Sequence, residues 1–359
     1  MLITWLVLGA VALIGVAAAV DALKPDVSPS ATADRDEAAR LTGRLAPPPG
    51  TLAGTLVFTS LGECRTQALR LDTLTLGRPG PPLDCGLWVS PRGDLAAVSL
   101  APALGLRGSR IALLALGEEP EVLRNLAVVR GEPSWSSDGN RLAWCTPAGS
   151  TIVLVVETGV RSRLDGCRPR IAPDGSVLTR PFRPLAPQVL RDGEVILGED
   201  ELTRGFPADS EGPVDVVGYD ASPDGLLVVV AVRFESGRPP RRLLQLWREG
   251  RLEATIPLPE LGLPAGYGRL GERVELRPTG GEAAVAFPGA GKPMVVVDLE
   301  TGRLTVGPTS QHGFAWSPDG RWLALSTGEE VRLFGPDRGE PAYLLGVGAA
   351  AIAWSRIAP

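Results

Sequence analysis

Short apolar segments separated by turn residues recur along the chain from residue 54 onward. Each repeat has an apolar strand, a Ser-Pro-Asp-Gly turn or a close variant, and a second apolar strand, most clearly over 314–325. Short apolar runs that are bounded by Gly, Pro, Asp and Ser predict β-strands. Proline presets φ at the second turn position, Asp suits the third, and Gly closes a bulged hairpin. Each copy therefore predicts two antiparallel strands joined by a tight turn.

The spacing of these turns indicates one repeated structural unit. The positions equivalent to the turn proline are 91, 137, 173, 223, 278 and 318, and the copy at 278 is degraded. Successive spacings of 46, 36, 50, 55 and 40 residues are typical of propeller blades. A second hairpin follows the first, as over 152–164, 188–197 and 294–304, so each repeat supplies four short antiparallel strands. The sequence thus predicts an all-β fold, a β-propeller.

The two ends of the repeat region predict how the ring of blades closes. Residues 351–355 match the strand that precedes each turn, and residues 55–59 match the strand that follows it. Pairing these two segments would complete a composite blade and remove open sheet edges. Six repeats and the composite predict seven four-stranded blades. Six or eight blades stay open as alternatives, because the copy at 278 is weak and the connections vary in length.

The turns resemble the repeat signature of TolB-type propellers, which are related to WD-repeat proteins. Residues 135–139, 222–225 and 316–320 carry this resemblance, which covers about 54–359. In that family the signature is structural, so the resemblance implies a fold and no catalytic residue. Similar propellers precede the hydrolase domain of prolyl oligopeptidase-like enzymes, but no Gly-x-Ser-x-Gly motif occurs in this sequence. We expect only a membrane segment and a tether before the propeller, which distinguishes the chain from TolB itself.

A charge-free apolar segment, Leu2 to Val20, opens the sequence. It has about the length that spans a bilayer as a helix. It fits a signal anchor, or a signal peptide with small residues at 17–19 as the cleavage site. We assign 1–20 to the anchor or signal peptide, 21–53 to a flexible tether rich in Pro and Ala, and 54–359 to the propeller. Both alternatives place the propeller outside the cytoplasm, in the periplasm, at the cell surface or secreted.

Four cysteines occupy matching places in two successive repeats. Cys85 and Cys167 each lie six residues before the proline position of a turn, and Cys64 and Cys145 lie 21 and 22 residues upstream of them. An even number of cysteines in an exported chain favours disulfides. The spacing therefore predicts Cys64–Cys85 and Cys145–Cys167 bonds, with four unpaired thiols as the alternative.

Composition narrows the chemistry that the propeller can carry. The sole histidine, His312, argues against His-based metal sites and Ser-His-Asp catalysis, and we interpret it as a hydrogen-bonding loop residue. The net charge of −5 argues against a nucleic-acid surface. We assign the turn aspartates to turn chemistry rather than to calcium sites. Trp135, Trp316 and Trp354 share one repeat position and are expected to pack between blades rather than to form a ligand cage.

Three long connections predict a partner surface on the face opposite the turns. They span 198–213, 233–241 and 257–272 and include Arg204 and Phe206. Long loops on a rigid scaffold often carry function, and arginine beside aromatic residues is favoured at interfaces. The candidate binding residues are Arg233, Phe234, Arg238, Arg241, Arg242, Tyr267 and Arg269. The alternative is a tolerated loop insertion with a solvated basic rim.

These observations favour a non-catalytic, monomeric binding or scaffolding module with a protein or glycan partner in the cell envelope. No cofactor, metal or nucleic acid is expected. The alternative is a propeller enzyme of the polysaccharide lyase or quinone-dependent dehydrogenase type, with its active site at the channel mouth. Such enzymes usually need clustered His, or Arg with metal ligands. Charged side chains that converge at the channel, as opposed to apolar and small ones, would favour the enzyme.

Overall fold

The computed structural model describes residues 47–48, 50–82, 84–100, 109–117, 120–182, 187–259, 273–287, 293–309, 313–336 and 341–355. The described residues all belong to one compact unit, which lies within Leu41–Pro359. The predicted signal segment and most of the predicted tether lie outside the described residues. In the described part of the chain, no helix has the length and apolar character that a membrane crossing requires.

Antiparallel strands make up most of the described chain. The first half contains β1 (Thr55–Ser60), β2 (Thr66–Arg70), β3 (Thr75–Leu76), β4 (Leu87–Val89), β5 (Leu95–Leu100), β6 (Ser109–Ala115), β7 (Glu121–Trp135), β8 (Arg141–Cys145), β9 (Ser150–Val155), β10 (Arg161–Asp165), β11 (Cys167–Ile171), β12 (Val177–Arg180), β13 (Val189–Arg191) and β14 (Glu194–Leu197). A short helix, α1 (Glu199–Thr203), follows. The second half contains β15 (Val214–Ala221), β16 (Leu226–Arg233), β17 (Arg241–Arg248), β18 (Arg251–Pro257), β19 (Arg273–Leu276), β20 (Glu282–Ala286), β21 (Pro293–Asp298), β22 (Leu304–Thr309), β23 (Phe314–Trp316), β24 (Leu323–Ser326), β25 (Val331–Phe334), β26 (Pro341–Leu345) and β27 (Ala349–Ser355).

The strands assemble into the repeated four-stranded sheets that the hairpin pattern predicts. Four sheets follow the chain order: β11 to β14, β15 to β18, β19 to β22 and β23 to β26. A fifth has the order β27-β1-β2-β3. The strands β4 to β10 form a seven-stranded sheet, because the long β7 pairs with β6 in its first part and with β8 in its last part. Its register with β8 shifts between Arg130 and Ser134, where the strand passes from one ladder to the next.

The predicted pairing between the two ends of the repeat region is confirmed. Thr55 pairs with Ser355 and Thr59 with Ala351, in one antiparallel ladder between β1 and β27. Phe58 and Ile352 face each other across this ladder and are buried in the same apolar cluster. The first sheet is therefore completed by the last described strand.

The turn aspartates serve the hairpin turns. Asp138 accepts hydrogen bonds from the Ser136 hydroxyl at 2.5 Å and from the backbone N–H of Asn140 at 3.0 Å, and Gly139 has a φ of 71°. Asp319 accepts the equivalent bonds from the hydroxyl and backbone groups of its own turn. The Ser136 hydroxyl bond is the main reason why the pKa of Asp138 is lowered. These carboxylates are engaged by their own turns, as the turn chemistry predicts.

Both predicted disulfides are confirmed. Cys64 bonds to Cys85 and Cys145 to Cys167, with Cα–Cα distances of 4.7 and 4.9 Å. Each bond connects the region after the second strand of one ladder to the start of the next ladder. Disulfides persist in oxidising compartments, so the pairing indicates a location outside the cytoplasm.

The repeated tryptophans pack between sheets, as predicted. The indole N–H of Trp316 donates to the carbonyl oxygen of Glu275 on β19 at 3.3 Å, and that of Trp354 donates to the carbonyl oxygen of Ala53 at 3.1 Å. Trp135 makes a bond of the same kind from β7 to β4. The bonds of Trp135 and Trp316 therefore join inner strands of neighbouring ladders. The bond of Trp354 stays beside its own sheet, and Trp354 instead packs against the neighbouring sheet through its apolar cluster with Ala315 and Ala324.

Candidate functional site

Seven strands surround one cavity of about 660 Å³. They are β4, β7, β11, β15, β19, β23 and β27, and each contributes at least two lining residues. The turns after five of these strands also line it, through Pro91, Ser137, Pro173, Pro223 and Pro278. The cavity is thus built from equivalent parts of the repeats. A concave site of this size is the default place to look for a ligand.

The repeat position three residues before the turn proline, or its equivalent, lines the cavity on all seven strands. Its occupants are Trp88, Ser134, Arg170, Asp220, Glu275, Ala315 and Ala353. Arg170, Asp220 and Glu275 lie on the consecutive inner strands β11, β15 and β19 and form what we call the charged wall. Ala315, Ala353 and Trp88 lie on β23, β27 and β4 and form what we call the apolar wall. The two walls give the cavity two chemically different sides.

Two arginines that line this side of the cavity, Arg170 of the charged wall and Arg273 beside it on β19, are paired with carboxylates. The guanidinium of Arg170 lies 3.8 Å from a carboxylate oxygen of Glu132, which is on β7. The guanidinium Nε of Arg273 donates to Glu275 at 2.9 Å, and the same group stacks 4.8 Å from the ring centre of Phe314. Each guanidinium is therefore already balanced by a neighbouring negative charge.

Asp220 differs from these paired residues. Its carboxylate accepts the backbone N–H of Leu276 at 2.8 Å and that of Ala221 at 3.0 Å. Among the described residues it forms no ion pair. Burial raises the pKa of Asp220 to about 6, although the positive charge of Arg170 opposes this effect. The negative charge of Glu275 contributes to raising it. Asp220 is therefore ionised at neutral pH and takes up a proton near pH 6.

The charged wall carries no local sequence motif. Its residues are of common types and lie about 50 residues apart in the chain. Aligning the repeats on their turn prolines places Arg170, Asp220 and Glu275 at one position, and this signal could have found them. Within the described ranges, no three His, Cys, Asp or Glu side chains are grouped as metal ligands.

Two of the predicted binding residues are buried. Arg233 stacks 4.6 Å from the ring centre of Phe206 and donates to the carbonyl oxygen of Ser210 at 2.6 Å. Arg242 is 2% exposed and lies 5.7 Å from the ring centre of Phe287. Both guanidinium groups support the packing of the long connections. Cation–π contacts of this kind stabilise a fold when they are desolvated.

The other described members of the predicted set lie around one carboxylate. Arg238 and Arg241 each approach Glu235 to 3.4 Å, and the side chain of Arg238 is 69% exposed. Phe234 is partly buried and packs against the apolar core. Tyr267 and Arg269 lie outside the described residues, as does His312. Arg238 is therefore more exposed to solvent than Arg241, whose side chain is 32% exposed.

The comparisons with known proteins identify the fold. No family model and no curated protein matches the sequence. In structure, the chain is similar to the β-propeller domain of Swd1 from Myceliophteria thermophila, with 13% identity, a TM-score of 0.50, and coverage of 75% of this chain and 89% of that one. It is also similar to a putative 6-phosphogluconolactonase from Bacteroides uniformis, with 14% identity, a TM-score of 0.53, and coverage of 84% and 100%. A putative 6-phosphogluconolactonase from Bacteroides fragilis gives 13% identity, a TM-score of 0.51, and coverage of 86% and 99%. The chain is a β-propeller, and at these identities the likeness extends to the fold alone.

Proposed function

We propose that this chain is a non-catalytic binding module on a seven-bladed propeller, which holds a protein or glycan partner of the cell envelope at its cavity. The observation that carries the proposal is the convergence of seven inner strands on one cavity with a charged wall and an apolar wall. Counting the seven-stranded sheet as two ladders that share β7 supports seven blades. The repeat turns at 135–139, 222–225 and 316–320 support kinship with TolB-type propellers.

Export is the second part of the proposal. The apolar segment 1–20 acts as a signal anchor or signal peptide, and 21–53 acts as the tether that leads to the propeller. The two disulfides support this placement, because a reducing cytoplasm opposes their formation. The propeller then faces the periplasm or the cell surface, where its cavity meets envelope components.

Charged side chains converge at the cavity, which by itself favours an enzyme. The pairing of the arginines with carboxylates favours binding instead. Arg170 and Arg273 are each close to a carboxylate, so neither is left to stabilise a negative charge that develops in a reaction. Charged residues with an apolar platform are, by contrast, ordinary components of ligand pockets.

A propeller enzyme is the second candidate, and one observation favours it. Asp220 and Glu275 lie on neighbouring strands of the cavity, and burial raises the pKa of Asp220 to about 6. A carboxyl group with such a pKa can act as a general acid near neutral pH. Under this alternative, Asp220→Asn abolishes the conversion of an envelope polysaccharide while its binding persists.

A cavity-filling variant tests the proposed binding function. Ala353 lines the apolar wall, and Ala353→Phe would place a ring in the cavity without changing any charge. Val160→Phe is the matched control, because Val160 is 61% exposed and does not line the cavity. The full chain, solubilised with its N-terminal segment, is crosslinked to envelope fractions, and the captured components are compared. Loss of the same components with Ala353→Phe but not with Val160→Phe supports the proposal, whereas equal capture by both variants rejects the cavity as the binding site.

A further inference from the structure

We propose that the cavity binds an organic cation on an apolar stem, such as the Lys or Arg side chain of a protein partner, with its charge on Asp220. This inference rests on the proposed binding function and specifies the chemical class of the ligand. It is based on the charge balance of the cavity, the free acceptor sites of Asp220 and the apolar wall opposite them.

The charge balance of the cavity leaves a negative excess. Four carboxylates line it, namely Glu132, Asp138, Asp220 and Glu275, against three guanidinium groups, namely Arg170, Arg273 and Arg277. Arg277 is also paired with Glu282, which does not line the cavity, at 3.2 Å. The attraction between two opposite charges is stronger in a site that is partly shielded from water, because the effective dielectric constant is lower there. The cavity therefore attracts cations and disfavours phosphates, sulfates and other polyanions.

Asp220 has acceptor sites left for a ligand. An ionised carboxylate offers about four lone-pair sites, and the backbone N–H groups of Leu276 and Ala221 occupy one on each oxygen. These two bonds fix the orientation of the carboxylate, and because their donors are neutral backbone groups they leave its negative charge uncompensated. An ammonium or guanidinium group could donate to the remaining sites, and such charge-assisted hydrogen bonds are the strong ones.

The apolar wall matches the stem of such a ligand. Trp88, Ala315 and Ala353 offer a ring and two methyl groups at the repeat position that Asp220 occupies on β15. Methylene groups of lysine or arginine bury favourably against surfaces of this kind while their charge remains satisfied. A small inorganic cation would leave this wall without a partner, so the two walls together favour an extended organic cation.

The interaction makes binding depend on pH. The charged groups that face Asp220 are Arg170 on β11, Glu132 on β7, and Arg273 and Glu275 on β19. The arginines are paired, so Asp220 is the group of this wall that takes up a proton near pH 6. Protonation removes the charge that the ligand needs, and an alkylammonium stays charged throughout this range. Affinity should therefore fall as the pH is lowered.

The experiment is isothermal titration calorimetry of the full chain with n-butylammonium, n-propylguanidinium and the uncharged n-butanol. We expect both cations to bind and n-butanol to bind at least about tenfold more weakly. Between pH 7.5 and pH 5 the affinity for n-butylammonium should fall about tenfold, because about one in ten Asp220 side chains remains ionised one unit below its pKa. Equal affinity for n-butanol, or affinity independent of pH, would overturn the proposal.

Two variants localise the binding. Asp220→Asn should weaken cation binding by about tenfold or more at pH 7.5 and remove its pH dependence. The matched control is Asp165→Asn, at an exposed position of β10 outside the cavity, and it should change neither. If Asp220→Asn does not fold by circular dichroism, Ala353→Phe replaces it, and unchanged cation binding by that variant refutes the proposal. If Ala353→Phe abolishes capture of envelope components but wild-type chain binds neither cation, the proposed function stands and the cation ligand is wrong.

Discussion

Trp135 donates its indole N–H to the backbone carbonyl oxygen of Trp88, 2.8 Å away. The donor is on β7 and the acceptor on β4, so the bond joins the inner strands of two successive ladders. Trp316 makes the equivalent bond to Glu275. In both cases the acceptor residue lines the cavity. The tryptophan at this repeat position thus holds its own inner strand against the inner strand of the neighbouring ladder. The shape of the cavity therefore depends on these tryptophans.

Replacing Trp135 with Phe should destabilise the propeller, because the carbonyl of Trp88 loses its donor while most of the apolar contact remains. We expect a loss of about 1 kcal/mol from the hydrogen bond, plus a smaller packing loss. Urea denaturation of the full chain measures it. Trp322→Phe is the control. The ring centre of Trp322 lies 5.5 Å from that of Tyr343, and in the described structure its indole N–H forms no hydrogen bond between ladders. Equal losses in the two variants would contradict the role of the bond.

A charge in the closing strand should open the ring. Ile352 is 2% exposed and pairs with Phe58, so Ile352→Asp buries a carboxylate without a partner. We expect a loss of about 3 kcal/mol or more and a broadened unfolding transition. Val195→Asp, at an exposed position of the strand β14, should cost about 0.5 kcal/mol. Similar melting curves for the two variants would show that the pairing of β1 with β27 contributes little.

Each disulfide should stabilise the fold to a similar extent, because the two closed loops are of similar length. Two double variants each remove one bond: Cys64→Ser with Cys85→Ser, and Cys145→Ser with Cys167→Ser. The bonded cysteines are 21 and 22 residues apart in the sequence, respectively. We expect each pair of changes to cost about 3 kcal/mol in guanidinium denaturation. The variant with all four cysteines changed to Ser serves as the control. A reducing agent should lower the denaturation midpoint of the wild-type protein and leave the midpoint of this variant unchanged. A wild-type midpoint that does not respond would contradict this prediction.

The turn aspartates should make stability fall in acid. The Ser136 hydroxyl and the N–H of Asn140 favour ionised Asp138 and lower its pKa from 3.8. A carboxyl whose pKa is lower in the folded state contributes stability above its unfolded pKa and loses it as the pH falls through the folded value. Asp138→Asn should therefore reduce stability at pH 7 and have little effect at pH 2, as measured by thermal unfolding. The exposed Asp209, changed to Asn, is the control, and a difference for Asp138→Asn that persists at pH 2 would oppose the prediction.

Substitutions of two arginines of the predicted partner surface should affect stability differently, because one side chain is exposed and the other is buried. Arg238→Ser should change stability by no more than about 0.5 kcal/mol, because its side chain is mostly exposed and its ion pair is solvated. Arg242→Ser should cost roughly 2 kcal/mol, because the guanidinium is buried beside Phe287. If the surface contacts an anionic partner, Arg238→Ser also reduces the amount captured, increasingly so at low salt. Unchanged capture at every salt concentration would remove Arg238 from the binding residues.

The turn chemistry made the fold predictable from the sequence. A Pro-Asp-Gly turn forces an antiparallel hairpin locally, and its recurrence fixes the repeat, so strands, closure and disulfides all followed from spacing. The partnership of Cys145 with Cys167 needed only the comparison of two repeats. Such features depend on residues whose backbone preferences are strong and local.

The environment of the arginines could not be predicted in this way. Arg233 and Arg242 read as solvated charges in the sequence, yet they lie against Phe206 and Phe287, which are distant in the chain. The charge state of Asp220 likewise depends on burial and on Arg170 from another repeat. These properties arise only when the strands come together, so residue type and spacing do not reveal them.

The pairing of β1 with β27 sets a lower limit on how soon the fold can be completed after synthesis begins. Trp354 donates to the carbonyl oxygen of Ala53, 301 residues earlier in the chain. At a ribosomal rate of about 5 to 20 residues per second, the edge of β1 waits about 15 to 60 s for its partner. An unpaired apolar edge is a template for aggregation during that time. Ring closure thus makes the completion of the first sheet wait for the synthesis of β27, and β1 lacks this partner strand throughout that interval.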